Sequence, residues 1–169
     1  MSVLTKQEII KEIKKGNIKI EPFNIENIGP GSIDLTLGDK FRTFKKSEKI
    51  YDVSDEVDYK EITRLVKADS IVINPQETVL GVTKEKITLA PDISGRLEGR
   101  SRFARIGLLV HISASFMQPG ISNHQVLEIS NMGRIPLRLY AGTKVCQFIF
   151  ERTEGEAKYK GKFRDQDEP

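Results

Sequence analysis

Gly29-Pro30-Gly31-Ser32-Ile33-Asp34-Leu35-Thr36-Leu37-Gly38 is the stretch that decides the fold. Ile33, Leu35 and Leu37 alternate with Asp34 and Thr36, and successive side chains of a strand point to opposite faces. A period of two therefore puts the three apolar residues on one side. Glycine and proline bracket the run, so the sequence predicts a half-buried strand with a turn at each end.

Working outward, short apolar runs recur at 70–73, 78–82, 86–89, 108–112, 125–129, 136–139 and 144–150. Turn residues such as Asn74-Pro75, Ala90-Pro91-Asp92, Pro119-Gly120 and Ala141-Gly142 separate them. The pattern predicts a mainly β chain, an antiparallel sandwich or barrel. Upstream, Thr5-Lys6-Gln7-Glu8 has capping-box spacing, Ile9, Ile10 and Ile13 share a helical face, and Gly16 closes the run. One amphipathic helix opens the domain. Residues 45–65 are charged and without a clear period, and nothing there signals chemistry.

The 169 residues suit one compact domain, assigned to residues 1–152, followed by a polar tail over 153–169 whose only aromatics are Tyr159 and Phe163. Such a tail is frayed unless something docks it. The single cysteine, Cys146, excludes an internal disulfide, and no Cys-x-x-Cys or His-x-x-x-His pair offers a zinc site. No signal peptide and no run of about eighteen apolar residues is present, which predicts a soluble, cytoplasmic protein. With 27 basic and 24 acidic residues the net charge is only +3, a mixed surface rather than one built for nucleic acid. An anionic ligand must then be met locally.

Residues 96–105, Arg-Leu-Glu-Gly-Arg-Ser-Arg-Phe-Ala-Arg, carry four arginines. If residues 99–106 form a short helix, Ser101 and Arg105 share a face, and free backbone N–H groups at its start favour a phosphate. The segment reads either as that phosphate site or as a solvated basic face. Glu128, in Val126-Leu127-Glu128-Ile129, falls on the face of Val126 and Ser130 between residues that look buried. It reads either as a carboxylate poised to exchange a proton, its pKa raised by burial, or as the buried partner of an arginine. His111 reads as a hydrogen-bonded core or interface residue and His124 as an exposed turn residue. Phosphate-loop, dinucleotide-binding and nucleophile-elbow motifs are absent, as is the zinc-deaminase signature.

The ordered set Gly99-Arg100-Ser101, Ala104-Arg105, Gly107-Leu108, His111-x-Ser113-Ala114, Pro119-Gly120, Leu127-Glu128 and Gly142-x-x-x-x-Gln147 resembles the dCTP deaminase family, within the superfamily of trimeric dUTPases. The likeness extends to Ser32-Ile33-Asp34-Leu35-x-Leu37-Gly38, to Phe41-Arg42-Thr43-Phe44 and to Ala157-Lys158-Tyr159. It implies a distorted β-barrel or jelly roll of the dUTPase-like type with a short arginine-rich helix. It also implies a homotrimer with sites at subunit interfaces and magnesium carried on the triphosphate; the missing zinc motifs, the balanced charge and the lack of a long apolar run predict no zinc and neither nucleic acid nor membrane as partner. It assigns Glu128 as general acid/base, Ser101 and the Ala114 carbonyl as holders of the attacking water, and Arg105 as the group orienting the glutamate. Arg100, Arg102 and Gln147 fall at phosphate positions, and Lys158, Tyr159 and Lys162 lie in a tail that closes over the nucleotide.

The chain departs from that pattern at Gln118, where an aspartate usually meets the sugar, and at Ile121, where an aromatic residue usually stacks on it. Arg102 replaces a common serine and Lys162 a tail glutamine, each adding positive charge. A glutamine is a poor base, so Gln118 favours deamination of dCTP to dUTP and ammonia over release of pyrophosphate. Cleavage of dUTP, alone or coupled to deamination, is the alternative within the superfamily, and a nucleotide-binding homologue without turnover is the alternative outside enzymology.

Overall fold

The computed structural model describes residues 2–164 and 166–169. Its strands are β1 (Ser2–Val3), β2 (Ile18–Glu21), β3 (Ile33–Phe44), β4 (Thr63–Lys67), β5 (Ser70–Ile73), β6 (Thr78–Leu89), β7 (Ile93–Gly99), β8 (Leu108–Val110), β9 (Phe116–Met117), β10 (Ser122–Asn131), β11 (Leu137–Tyr140) and β12 (Lys144–Arg152). The helices are α1 (Lys6–Lys15), α2 (Tyr59–Ile62) and α3 (Ser101–Ala104), with one 3₁₀ turn at Ile25–Asn27.

The decisive stretch becomes the first half of β3, with Ile33, Leu35 and Leu37 all buried. Its far end is not a turn. The strand continues through Gly38 to Phe44, and its register against β6 slips between Leu37 and Phe41. Gly38 sits where β6 passes closest: a Cβ there would lie 3.0 Å from the Val82 carbonyl oxygen. A glycine in a strand marks close backbone approach as readily as a turn, and here it is the former.

This slip lets one strand serve two ladders. Residues 33–36 pair with β12, whereas the later residues pair with β4 and β6. The sheet order is β8-β10-β6-β3-β12-β7-β9, with β1 on β12, β2 on β6 and β4 on β3, every pair antiparallel. The sheet curls into a half-barrel around a core that includes Leu35, Leu37, Phe41, Leu97, Leu127, Phe148 and Phe150. The Phe148 and Phe150 rings lie 4.7 Å apart. A separate hairpin-like pair joins β5 and β11. No helix among the described residues is long and apolar enough to cross a membrane.

Helix α1 has its expected end. Gly16 takes the left-handed conformation, φ 80°, that an L side chain rarely adopts. Its start differs: Thr5 is the N-cap but makes no side-chain capping bond. The helix docks through Ile9, and also through Glu12, which the apolar period did not mark. Glu12 accepts from Asn17 Nδ2 at 2.6 Å, from Lys15 Nζ at 3.0 Å and from Arg152 Nη2 at 2.8 Å. Burial pushes its pKa up, and these donors outweigh that push, holding it at about 2.

A carboxyl whose folded pKa is depressed stabilises the fold above its unfolded value and loses that contribution as it is protonated. Glu12→Gln should therefore cost about 2 kcal/mol at pH 7, screening at the half-exposed Lys15 and Arg152 ends having trimmed the full linkage value. Denaturant titrations of both proteins across pH check this: their difference should shrink as pH falls from 4.5 towards about 2.

Candidate functional site

Strand β10 alternates strictly, turning Asn123, Gln125, Leu127, Ile129 and Asn131 inward and leaving Val126 and Glu128 on the outer face. Leu127 and Ile129 on either side of it are fully buried, as the sequence suggested, but Glu128 itself faces the other way and its side chain is 40% exposed. Strand β8 runs beside β10, with Val110 opposite Ile129, and His111 N–H donates to the Glu128 carbonyl at 2.8 Å. His111 then takes φ 52°, which swings the chain out of the ladder. For a bulky residue that conformation is strained, and such strain concentrates at functional sites.

The turn brings the imidazole back onto the carboxylate. His111 Nδ1 lies 2.7 Å from Glu128 Oε2, and Nε2 lies 2.9 Å from the Ala114 carbonyl oxygen. A carbonyl only accepts, so Nε2 carries a proton and donates it. One further proton then lies between Nδ1 and Oε2, whichever atom holds it. Both atoms are shut off from solvent with no other hydrogen-bond partner. Burial raises the Glu128 pKa, but the contact with His111 and its charge lower it further, so the net shift is downward. The sequence pointed to an upward shift because it did not foresee this neighbour.

Glu128 opens into a cavity of about 500 Å³, the size of a small-molecule site. Ala114, Gln118, Ile121 and Tyr159, all expected at the site, line it with Glu128. Ile121 is largely in the core and shows the cavity only an edge. Beyond them the wall is apolar, from Phe44, Leu80 and Val126, with Tyr59 of α2 and Phe163 of the tail. Buried Asn123 and Gln125 add amide groups, Gln125 Nε2 donating to Asn123 Oδ1 at 2.9 Å.

The tail is docked. Tyr159 N–H donates to the Pro119 carbonyl at 3.0 Å, Asn123 Nδ2 to the Phe163 carbonyl at 2.8 Å, and His124 N–H to the Gln166 carbonyl at 3.0 Å. Lys158 packs on Gly120, and Lys162 Nζ donates to the Val57 carbonyl at 3.4 Å. Lys40 and Glu168 pair at 2.6 Å beyond them.

The remaining expected residues form a second cluster that does not line this cavity. Arg100 caps the short helix α3, which carries exposed Ser101 and Arg102; exposed Arg105 follows as its C-cap, and its N–H reaches the Ser101 carbonyl at 3.1 Å. The helix is shorter than residues 99–106 because residues 93–99 belong to β7, a strand the arginine-rich composition hid. Arg100 Nη2 lies 3.0 Å from Asp34 Oδ2, and its Nη1 donates to the Lys144 carbonyl at 2.9 Å. Gln147 Oε1 accepts from Ser32 Oγ at 2.8 Å. One chain therefore presents a carboxylate-and-cavity half and an arginine-and-glutamine half.

Sequence reasoning missed His111 as the partner of Glu128, and Phe44, Tyr59 and Phe163 as cavity walls. For His111 the short apolar strand ending in His-x-Ser-Ala carried a signal, since small residues follow where a chain must turn sharply. For Tyr59, within a charged aperiodic segment, no local signal existed.

Residues 3–153 match the family model described as dCTP deaminase-like. A Nocardioides protein named dCTP deaminase, dUMP-forming, is 36% identical over 99% of this chain and 92% of its own length. A Beutenbergia cavernae protein of the same name is 40% identical over 92% of this chain and 82% of its own. The crystal structure of 2'-deoxycytidine 5'-triphosphate deaminase from Agrobacterium tumefaciens superposes with a TM-score of 0.70 at 19% identity, over 90% of this chain and 48% of that longer one, a likeness of fold. With the family model spanning both halves of the site and relatives matching almost end to end, this chain belongs to the dCTP deaminase-like family.

Proposed function

We propose that the chain hydrolytically deaminates dCTP to dUTP and ammonia without zinc, with Glu128 as general acid/base. The observation that carries this reading is that Glu128 is the one carboxylate among the described residues lining the cavity, with a proton held between it and His111. Water adding to C4 of cytosine must lose a proton while N3, and then the departing amine, must gain one. A single carboxylate that accepts and returns protons serves each transfer. With Oε2 turned inward to His111, Oε1 is the oxygen left for the water. The lowered pKa keeps the group ionised near neutrality, ready to accept the first proton.

Arg100, Arg102 and Gln147 are read as the triphosphate half of the site, and Ser101 and Arg105 as further groups at the reacting centre. They do not line the cavity of their own chain, which supports a homotrimer in which the arginine half of one copy completes the carboxylate half of the next. The tail carrying Lys158, Tyr159 and Lys162 is the cover of the nucleoside half. No three of His, Cys, Asp and Glu come together among the described residues, so magnesium would draw its oxygens from the phosphates and water, as it commonly does. Bound there, it would neutralise phosphate charge.

A second reading is favoured by the names of the relatives, which are dUMP-forming: this chain would also release pyrophosphate. Gln118, neutral at the cavity rim, speaks for the first reading, because attack on phosphorus asks for a second base.

Incubation with magnesium and dCTP, and separately dUTP, decides among these. Ammonia and dUTP from dCTP, with dUTP left intact, are expected; ammonia together with dUMP and pyrophosphate would establish the second reading, and no ammonia from dCTP would sink both. Glu128→Gln should lose at least about a hundredfold in kcat while keeping its fold.

His111→Asn should move the acid limb of the kcat/KM profile to higher pH, because removing the cation leaves burial to raise the Glu128 pKa. An unmoved limb would show that His111 does not tune the carboxylate. Mixing inactive Glu128→Gln and Arg105→Ala proteins under subunit exchange should restore about a quarter of wild-type activity if sites are shared between neighbouring copies of a ring. Sites complete within one chain would give no recovery.

A further inference from the structure

We propose that Asp34 is a positioning residue of the triphosphate half-site, which fixes Arg100 for phosphate while Ser32 does the same for Gln147. The inference rests on the reading that Arg100 and Gln147 meet the phosphates. Asp34 lies in β3 and Ser32 directly precedes its first residue, so the two stand two positions apart along the same extended segment. Gln147 stands opposite Asp34 across the β3–β12 ladder and opposite Glu98 across the β12–β7 ladder. That register delivers the end of β7, and with it Arg100, to the same polar patch.

Arginine has many rotamers, and a free guanidinium must give up that freedom when it grips an anion. Here two contacts define its plane in advance: Asp34 Oδ2 at 3.0 Å from Nη2, and the Lys144 carbonyl accepting from Nη1 at 2.9 Å. The pair is largely shielded, with side-chain exposures of 21% and 25%, so it is screened less than a surface pair. Asp34 also adds a negative charge beside the guanidinium, which by itself would weaken anion binding; preorganisation must outweigh this. Ser32 acts on Gln147 in the same sense. Its hydroxyl donates to Oε1 at 2.8 Å, which fixes the amide so that Nε2, a donor, faces the Gly99 turn, 3.4 Å from that carbonyl. Both donors are thus aimed by groups that need not touch the ligand.

The test measures dCTP kinetics with magnesium for wild type, Asp34→Asn and Asp34→Glu, together with calorimetric binding of inorganic tripolyphosphate to each. Asp34→Asn should raise KM for dCTP about tenfold with kcat within about twofold, and should weaken tripolyphosphate binding in parallel. Asp34→Glu should recover part of the loss. Unchanged or tighter tripolyphosphate binding, or a fall in kcat at constant KM, would overturn the proposal. Should Asp34→Asn fail to fold, Ser32→Ala takes its place, with a smaller loss of tripolyphosphate affinity expected and no change counting against the idea. Tripolyphosphate binding reads the half-site whether or not dCTP is turned over, so a wild type inactive on dCTP would refute the proposed function and leave this comparison decisive.

Discussion

One strand belongs to two ladders, and the remaining architecture follows from that. The first half of β3 is bonded to β12, the second to β4 and β6, and the register slip between Leu37 and Phe41 is what permits the change. A flat strand would hold both partners in one plane; a slip bends it and increases the twist, which is how a sheet curls round a core instead of extending. Gly38 suits the bend because a Cβ there would crowd the Val82 carbonyl oxygen at 3.0 Å. Asp34 on one arm stands in the arginine cluster, and Phe44 at the end of the other lines the cavity. The corner that closes the core thus also fixes where the arginine cluster and the cavity of one chain lie relative to each other.

Within the cavity the chemistry depends on a second backbone constraint. The left-handed conformation at His111 ends the β8 ladder and folds the imidazole onto Glu128. Strand alternation alone would have left the carboxylate on a half-exposed face with no partner. The hydrogen bond and charge of His111, whose Nδ1 lies 2.7 Å from Oε2, reverse the direction in which burial would have shifted its pKa. Its nearest counterpart elsewhere in the fold is Glu12, where burial is again overridden by donors, there to fasten a helix to the end of β12.

The tail adds little to the core but much to the cavity. Tyr159 packs at the core's edge while Phe163 and Gln166 wall the cavity, the tail being held by backbone bonds to Pro119 and His124 and by the Asn123 side-chain amide. These contacts are few and mostly polar, the kind of docking that opens at low cost relative to the barrel.

The sequence by itself determined the class of the fold and most of the inward face. Period-two alternation found the β3 core residues and the alternation that sets Glu128 against Leu127 and Ile129, and a short apolar run found β5 to the residue. The ordered motif also identified the family. These features are local: a strand's faces follow from its own side chains, and a motif from its own spacing. Tertiary structure alone decided that Gly38 is a bend and not a turn, that residues 93–99 are a strand, that His111 neighbours Glu128, and that Tyr59 walls the cavity. Each depends on residues far along the chain meeting across a ladder or a loop, and no pattern within a short window encodes which partner will arrive. The direction of the Glu128 pKa shift is of the same kind: alternation along β10 carries no trace of His111, which follows β8 and whose hydrogen bond and charge outweigh burial.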